Sequence, residues 1–386
     1  MLKDRRLNID RSNGISPGVY LIVIGSSIGG TEKRFLEIWN YFQEREIENV
    51  VLVVSEELLK NAMDIDYLKY LNGGNKNVVI LKGGRFRDAF FDLIKLTSTS
   101  SKESIFHYPG VSIPFLHTIT GNKFILSNTI SSFFEGEYSS LKTKTMFLGS
   151  ALTAWKIDIL NPSQLEEFNN RFPFLSHNTT LTPQNFVNHD VYKPVFPKKN
   201  DIVFLGRLSE GDTKNVIPFV RSIPQINKVL CKNNVQDFRF FILGHGVLAN
   251  QVREILNHEA YKDIPVIFKY EPNPGEILAR SKIILSLQKH SNYPSRSLLE
   301  GMSCGNVPIV TDVGETRLIA KESFSKFVSP EFTPTELAQS IQSVLSMDEP
   351  EFEEKANSIR TFIIENYSIR FQAQYYLDLY ELNIKV

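Results

Sequence analysis

Short apolar runs alternate with longer segments of helical period along most of the chain. In the second half, five runs rich in β-branched and aromatic residues each lead into such a segment. Strands that are buried on both faces have continuous apolar runs of this kind, and repeated strand–helix units build a parallel sheet. The pattern predicts a doubly wound α/β domain with strands at 201–206, 238–244, 265–270, 282–288 and 306–312, and helices at 215–232, 247–258, 274–281, 295–304 and 315–322.

The first half repeats this pattern less regularly, which predicts a second Rossmann-like domain. Its expected strands are 18–25, 49–55, 77–83, 104–110 and 123–129, its helices 30–46, 56–71, 85–97 and 112–120, and its later elements 146–155, 157–162 and 178–183. Between the two halves, the segment KPVFPKKN (193–200) contains two prolines and three lysines that interrupt both periodicities. This interruption predicts a linker between domains at 1–192 and 201–365.

Length and composition agree with two globular domains and exclude several other classes of protein. The chain has 386 residues, with 43 basic and 43 acidic side chains, so it has no net charge that would attract nucleic acid or an anionic membrane. Two cysteines, Cys231 and Cys304, are too few for a disulfide framework or a cysteine-rich zinc site. No apolar run approaches the roughly 20 residues that span a bilayer, and the N-terminal charges are not followed by an apolar stretch. We expect a cytoplasmic protein, with peripheral contact at the inner face of the membrane left open.

The first candidate for chemistry is the segment GRLSEGDTKN (206–215), which begins where a predicted strand ends. Parallel sheets bind ligands at this edge. Arg207 has a planar guanidinium that suits phosphate oxygens, and Lys214 adds a positive charge at the start of the next helix, where backbone N–H groups also favour anions. Together with Gly206, these residues predict a diphosphate site. The alternative is that the two cations are solvated beside Glu210 and Asp212.

The second candidate is the segment 291–317, which spans a strand end, a helix and the next strand. The first-turn N–H groups of Ser295, Arg296 and Ser297 are available to phosphate oxygens. One turn deeper, Glu300 is able to accept two hydrogen bonds from the hydroxyls of a ribose. The alternative is a helix ion pair between Arg296 and Glu300 at i, i+4.

Further signals are weaker, and each has a structural alternative. Gly244, in GHG at a strand end, fits either a ligand loop or a tight turn. The glycine-rich loop 25–34 lets a backbone approach a ligand but lacks the spacing of a dinucleotide fingerprint. His107 ends a first-domain strand and is the histidine best placed for catalysis, although a buried structural histidine is the commoner outcome. The string Asp64-Ile65-Asp66 lies in helical-period sequence and is interpreted as solvated surface. The basic aromatic helix 84–96 is interpreted as a core helix and not as a membrane anchor.

Motifs of several enzyme classes are missing from the sequence. It contains no HExxH, paired-cysteine, Walker A or GxSxG motif. Metal-dependent hydrolysis, P-loop chemistry and serine hydrolysis are therefore disfavoured.

The motifs FLGRLSEGDTKN and NYPSRSLLEGMSCGNVPIVTDVGETR together resemble the donor half of retaining glycosyltransferases of the GT-B fold, family four, the group 1 glycosyl transferases. The GGTEKR loop and the two-domain layout match as well. The resemblance implies two Rossmann-like domains facing across a cleft, with a nucleoside-diphosphate sugar on the C-terminal domain and an acceptor on the N-terminal domain. It also implies net retention, no cofactor, no required metal, and a C-terminal helix, 366–386, that crosses back to the first domain.

Residue by residue, the resemblance assigns Arg207 and Lys214 to the donor diphosphate and Glu300 to the ribose, as the second glutamate of the E-x7-E motif. The first glutamate of that motif is replaced by Asn292, which retains hydrogen-bonding groups but has no charge. The histidine that the family places near the reacting sugar has no equivalent at 127–129, which leaves His107 as a substitute candidate.

The leading hypothesis is a hexosyltransferase of bacterial surface polysaccharide synthesis, for example of lipopolysaccharide or capsule, acting on a glycan or lipid-linked acceptor and not on nucleic acid. A catalytically silent GT-B protein that serves as a partner or scaffold is the alternative raised by Asn292. A sugar-nucleotide epimerase is a third possibility.

Overall fold

The structure is a computed structural model, and it describes residues 18–25, 28–62, 69–71, 75–83, 88–110, 116–128, 141–183, 185–291, 293 and 295–386. The chain forms two compact units, Met1–Gln184 with Arg370–Val386, and Asn185–Ile369. Each unit is built on one parallel sheet covered by helices, which confirms the predicted fold class of two Rossmann-like α/β domains. None of the helices in the described ranges is long and apolar enough to cross a membrane.

The first unit contains a seven-stranded sheet in which every strand pair is parallel. Its order is β3-β2-β1-β4-β5-β6-β7. The strands are β1 (Val19–Val23), β2 (Val50–Ser55), β3 (Val78–Leu81), β4 (Ile105–Pro109), β5 (Lys123–Asn128), β6 (Lys156–Ile159) and β7 (Thr179–Leu181). The helices are α1 (Gly30–Glu44), α2 (Glu56–Ala62), α3 (Phe90–Thr99), α4 (Leu116–Thr120), α5 (Leu141–Thr153), α6 (Pro162–Arg171) and, from the end of the chain, α14 (Ile369–Leu379).

The second unit contains a six-stranded parallel sheet in the order β10-β9-β8-β11-β12-β13. The strands are β8 (Lys199–Leu205), β9 (Arg239–Leu243), β10 (Val266–Lys269), β11 (Ser281–Ser286), β12 (Val307–Thr311) and β13 (Lys326–Val328). The helices are α7 (Val216–Lys232), α8 (Ala249–Leu256), α9 (Gly275–Arg280), α10 (Arg296–Ser303), α11 (Thr316–Ile319), α12 (Pro334–Leu345) and α13 (Glu349–Asn366). Five strands match the five predicted apolar runs. The sixth, β13, has only three residues, too few for a periodicity to identify it.

The strand order creates a switch point between β8 and β11 in the second unit. The chain moves from β8 to β9 in one direction and from β10 across to β11 in the other, so the connections after β8 and β11 leave the sheet toward opposite faces. Open parallel sheets bind ligands in the crevice that this divergence leaves at the carboxyl ends of the strands. The two predicted clusters, 206–215 and 291–317, follow these two strands.

The segment 193–200, predicted as a linker, is instead part of the second unit. Lys198 is buried, and its ammonium group donates hydrogen bonds to the carbonyls of Leu278, Ser281 and Cys304 at 3.4, 2.9 and 2.6 Å. Burial lowers the pKa of Lys198 to about 8. A lysine that looks solvated in the sequence therefore anchors the segment to β11 and the end of α10.

Candidate functional site

The loops after β8, β9 and β10 are joined to one another by backbone hydrogen bonds. The amide of Gly206 donates to Leu243 at 3.0 Å, and the amide of Gly244 donates to Lys269 at 3.0 Å. The contact between the first two loops is so close that a Cβ at Gly244 would lie 2.2 Å from the carbonyl oxygen of Gly206. Gly244 is thus required for the approach of two backbones at the carboxyl edge, which explains the glycine of the GHG motif in physical terms.

Lys214 and Arg207 bring two positive charges to this edge. The ammonium group of Lys214 lies against Gly206, where a Cβ would approach Nζ to 2.8 Å. Lys214 is half-buried, and burial, together with the nearby charge of Arg207, lowers its pKa to about 8, while the carboxylate of Glu300 opposes the shift. Arg207 is exposed, and no described side chain pairs with it. The structure thus brings Gly206, Arg207, Lys214 and Glu300 together at the switch point.

The start of α7 differs from the expectation that its N–H groups are available to an anion. Asp212 accepts hydrogen bonds from the amides of Val216 at 2.7 Å and Ile217 at 3.0 Å. These are first-turn donors that lack a partner within the helix, so the carboxylate already satisfies them. Asp212 and Asn215 both adopt positive φ angles, 48° and 52°, to place this cap. In this loop, the cations Arg207 and Lys214 are therefore the groups available to a phosphate.

The start of α10 is arranged differently. Ser295 is the N-cap residue and is buried, and its hydroxyl lies 3.4 Å from the hydroxyl of Ser297 without capping the helix. Further along α10, Gly301 packs so closely on β11 that a Cβ would lie 2.8 Å from the side chain of Ile284. This contact holds α10 against the strand that it follows, with its first turn at the carboxyl edge.

Glu300 is 4% exposed and forms an ion pair with Arg296 one turn earlier, with 3.4 Å between Oε1 and Nε. The guanidinium of Arg296 also lies 5.0 Å from the centre of the Phe186 ring. The helix ion pair, the structural alternative for these two residues, is thus present. It coexists with the influence of Glu300 on the pKa of Lys214, so the carboxylate is held by Arg296 and also faces the cationic loop.

His107 lies in the first unit and is completely buried. Its Nδ1 lies 2.6 Å from the hydroxyl of Tyr380 and its Nε2 lies 2.6 Å from the hydroxyl of Ser127, which in turn donates to Asp158 at 2.6 Å. Burial, and secondarily the charge of Arg34, lowers the pKa of His107 to about 3. Both ring nitrogens are occupied and the ring is neutral, so the structure gives His107 a role in packing α14 and its following turn onto the sheet.

The other first-unit predictions have mixed outcomes. In the loop 25–34, the amide of Gly29 donates to the carboxylate of Glu32 at 2.9 Å at the start of α1. The helix predicted at 85–97 is described from Phe90 onward, and it buries Leu93 and Leu96 in agreement with a core helix. Asn292, Asp64 and Asp66 lie outside the described residues.

Two residues that the sequence patterns did not single out also lie at the carboxyl edge of the second unit. His245 follows β9 and Tyr270 follows β10; both are exposed, and their ring centres are 4.7 Å apart. The available sequence signal was an aromatic residue within two positions of a strand end.

Comparisons with known proteins agree with this geometry. Residues 199–347 match the family of glycosyl transferases group 1. Among solved structures, Anabaena HepE in complex with UDP and glucose has a TM-score of 0.70 at 11% identity, covering 94% of this chain and 99% of that one. A glycosyltransferase from Rickettsia africae has a TM-score of 0.66 at 15% identity, covering 94% and 97%. Sucrose-phosphate synthase from Thermosynechococcus elongatus has a TM-score of 0.65 at 12% identity, covering 94% and 98%. No sequence relative was found among curated proteins.

These similarities define a class. The chain has the GT-B fold, which it shares over nearly its full length with these structures. The residues that match glycosyl transferases group 1 lie in its second unit, and both clusters of the candidate site lie inside the matched residues.

Proposed function

We propose that the protein is a retaining glycosyltransferase that moves a hexose from a nucleoside-diphosphate sugar to a glycan or lipid-linked acceptor in bacterial surface polysaccharide synthesis. The observation that carries the proposal is the pair of cations, Arg207 and Lys214, at the switch point of a group 1 glycosyltransferase domain. HepE, which shares the fold, is described in complex with UDP-glucose, and this supports a donor of the same chemical class.

In this proposal, different residues bind different parts of the donor. Arg207 and Lys214 bind the diphosphate and stabilise the charge that develops on it as the bond to the sugar breaks. The first-turn N–H groups after Ser295 add contacts to phosphate oxygens, and Glu300 accepts hydrogen bonds from the ribose. Asn292 orients the sugar through its amide, which offers both a donor and an acceptor.

The proposed transfer proceeds on one face of the sugar and needs neither a cofactor nor a metal. The acceptor oxygen bonds to the anomeric carbon on the face that the diphosphate leaves, which retains the configuration. The departing phosphate oxygen takes the proton of the acceptor hydroxyl. No side chain is needed as a base in this scheme, in keeping with the buried position of His107. We expect the reaction to occur in the cytoplasm, with peripheral contact at the inner face of the membrane where the acceptor is lipid-linked.

A panel of UDP, GDP, ADP and CMP sugars in a thermal-shift assay tests donor binding. A ligand present at 100 times its dissociation constant should add about 2.7 kcal/mol of apparent stability. Arg207→Ala should remove most of this gain, since a charge-assisted contact contributes roughly 1.5–3 kcal/mol. Arg280→Ala, which changes an exposed arginine at the end of α9, is the matched control and should retain the gain. No shift with any nucleotide would overturn the proposal.

Substitutions at Asn292 test whether the protein is an active enzyme or a catalytically silent GT-B protein. We expect the natural chain to transfer sugar, and Asn292→Ala to lower kcat/KM by about 10- to 200-fold through loss of one sugar hydrogen bond. A natural chain that is inactive and becomes active as Asn292→Glu would instead favour the silent protein.

A further inference from the structure

An exposed aromatic pair lies on the second-unit sheet beside the cations. Tyr270 is 60% exposed, directly after β10, and its ring meets that of His245 at an interplanar angle of 76°. Parallel sheets bind ligands at this edge, and an exposed pair of aromatic rings there offers an apolar surface with polar tips for a ligand to contact.

Backbone pairing places His245 and Tyr270 at set strand spacings from Arg207. Leu205, Leu243 and Lys269 are in register across β8, β9 and β10, and the loops that follow keep this pairing. The amide of Leu208 donates to the carbonyl of His245 at 2.8 Å. With strands about 4.8 Å apart, His245 is one strand spacing from Arg207 and Tyr270 is two, or about 10 Å.

The surroundings of the rings fix their chemistry. Partial burial and the nearby charge of Arg207 lower the pKa of His245, which favours the neutral form of its ring. Beside Tyr270, the ammonium of Lys269 lies 2.7 Å from the carboxylate of Glu271, which neutralises both charges. The surface next to the phosphate-binding cations is therefore aromatic and uncharged.

We propose that His245 and Tyr270 form a stacking platform for the base of the nucleotide donor. This inference rests on the proposed function and adds to it the residues that distinguish a nucleoside diphosphate from a bare diphosphate. The donor has a single aromatic part, its base, which a ribose separates from the phosphates. A platform one to two strand spacings from Arg207 suits that part, because a base gains most of its affinity by stacking on aromatic rings.

The test compares UDP, GDP and ADP with inorganic pyrophosphate, measured by calorimetry on the full chain. Tyr270→Ala should weaken the best-binding nucleotide by about 5- to 150-fold, the range expected for one base stacked on one aromatic ring. The affinity for pyrophosphate should not change. Tyr270→Phe retains the ring and should bind as the natural chain does, and His245→Ala should weaken the nucleotide in the same selective way.

Each outcome decides a separate point. If Tyr270→Ala binds nucleotide as the natural chain does, the platform is overturned and the proposed function stays intact. An equal loss of affinity for nucleotide and pyrophosphate also overturns the platform, because it would indicate a distorted loop. A natural chain that binds no nucleotide overturns the proposed function and the platform with it. Phe371→Ala, which removes an exposed ring from the first unit, is the matched control and should change neither affinity.

Discussion

The ammonium group of Lys214 occupies the space that a side chain at Gly206 would need. A Cβ at Gly206 would lie 2.8 Å from Nζ and 2.9 Å from Cδ of that lysine. The backbone of Gly206 itself does not require a glycine, because its φ is not in the left-handed region. Gly206 therefore makes room for the ammonium group of Lys214. A side chain at this position should disturb ligand binding without preventing folding.

Gly206→Ala should fold normally and bind nucleoside diphosphates about 10- to 100-fold more weakly, because the displaced lysine loses a charge-assisted contact. Calorimetry measures the affinity and chemical denaturation the stability. Gly244→Ala is the contrasting variant: its Cβ would meet the backbone of Gly206, which cannot move as a side chain can. It should lower the free energy of unfolding by about 1–3 kcal/mol. Normal binding by Gly206→Ala would exclude Lys214 from the phosphate site.

Glu300→Gln should lower both stability and nucleotide affinity. Removing one partner of a buried ion pair is destabilising by up to about 3–5 kcal/mol, and the amide is a poorer acceptor for the ribose hydroxyls. Arg296→Gln breaks the same pair from the other side and should lower stability without a comparable loss of affinity. Denaturation and calorimetry on both variants separate the two effects. Equal losses of affinity would mean that Glu300 acts only through its helix pair.

Nucleotide affinity should depend on the charge of Lys214. Its pKa of about 8 leaves the amine cationic at pH 7, so affinity should fall as the pH rises through 8 and beyond. Lys214→Met should bind more weakly at pH 7 and lose this decline. In the ligand-free protein the sign is opposite: the folded pKa is below the ordinary 10.5, so the unfolded chain binds more protons between pH 8 and 10.5, and stability rises across that window. Affinity that is independent of pH from 7 to 10 would contradict this assignment.

The stability of the protein should decrease in acid because of His107. Its folded pKa of about 3 is far below the ordinary 6.5, so its contribution is complete above pH 6.5 and is lost as the pH falls toward 3. One such group contributes a slope of about 1.4 kcal/mol per pH unit. His107→Gln should therefore reduce the pH dependence of the unfolding free energy between pH 7 and 5 by the amount that one bound proton contributes. The folded fraction of this variant should still transfer sugar.

His290→Gln, which changes an exposed histidine, is the control for the substitution itself. A stable His107→Gln protein that has lost sugar transfer would return His107 to the catalytic site.

The strands and the loops that follow them could be read from the sequence. Runs such as IVFL (202–205) in β8, the strand that precedes α7, are apolar throughout because a central parallel strand is buried on both faces, and that requirement leaves a local pattern. Since the loops at the carboxyl ends of such strands are where parallel sheets bind ligands, Arg207 and Lys214 could be placed at this edge without coordinates.

The environment of each polar side chain was decided only by the tertiary structure. Lys198 and Arg207 both flank β8 as basic residues, yet Lys198 is buried among three carbonyls, all of them 80 or more residues away, and Arg207 is exposed. Asp212 caps α7, and His107 is enclosed by Tyr380, 273 residues later. Local sequence specifies burial of apolar residues through their spacing, whereas the burial and pairing of a polar group depend on partners that only the folded chain brings near.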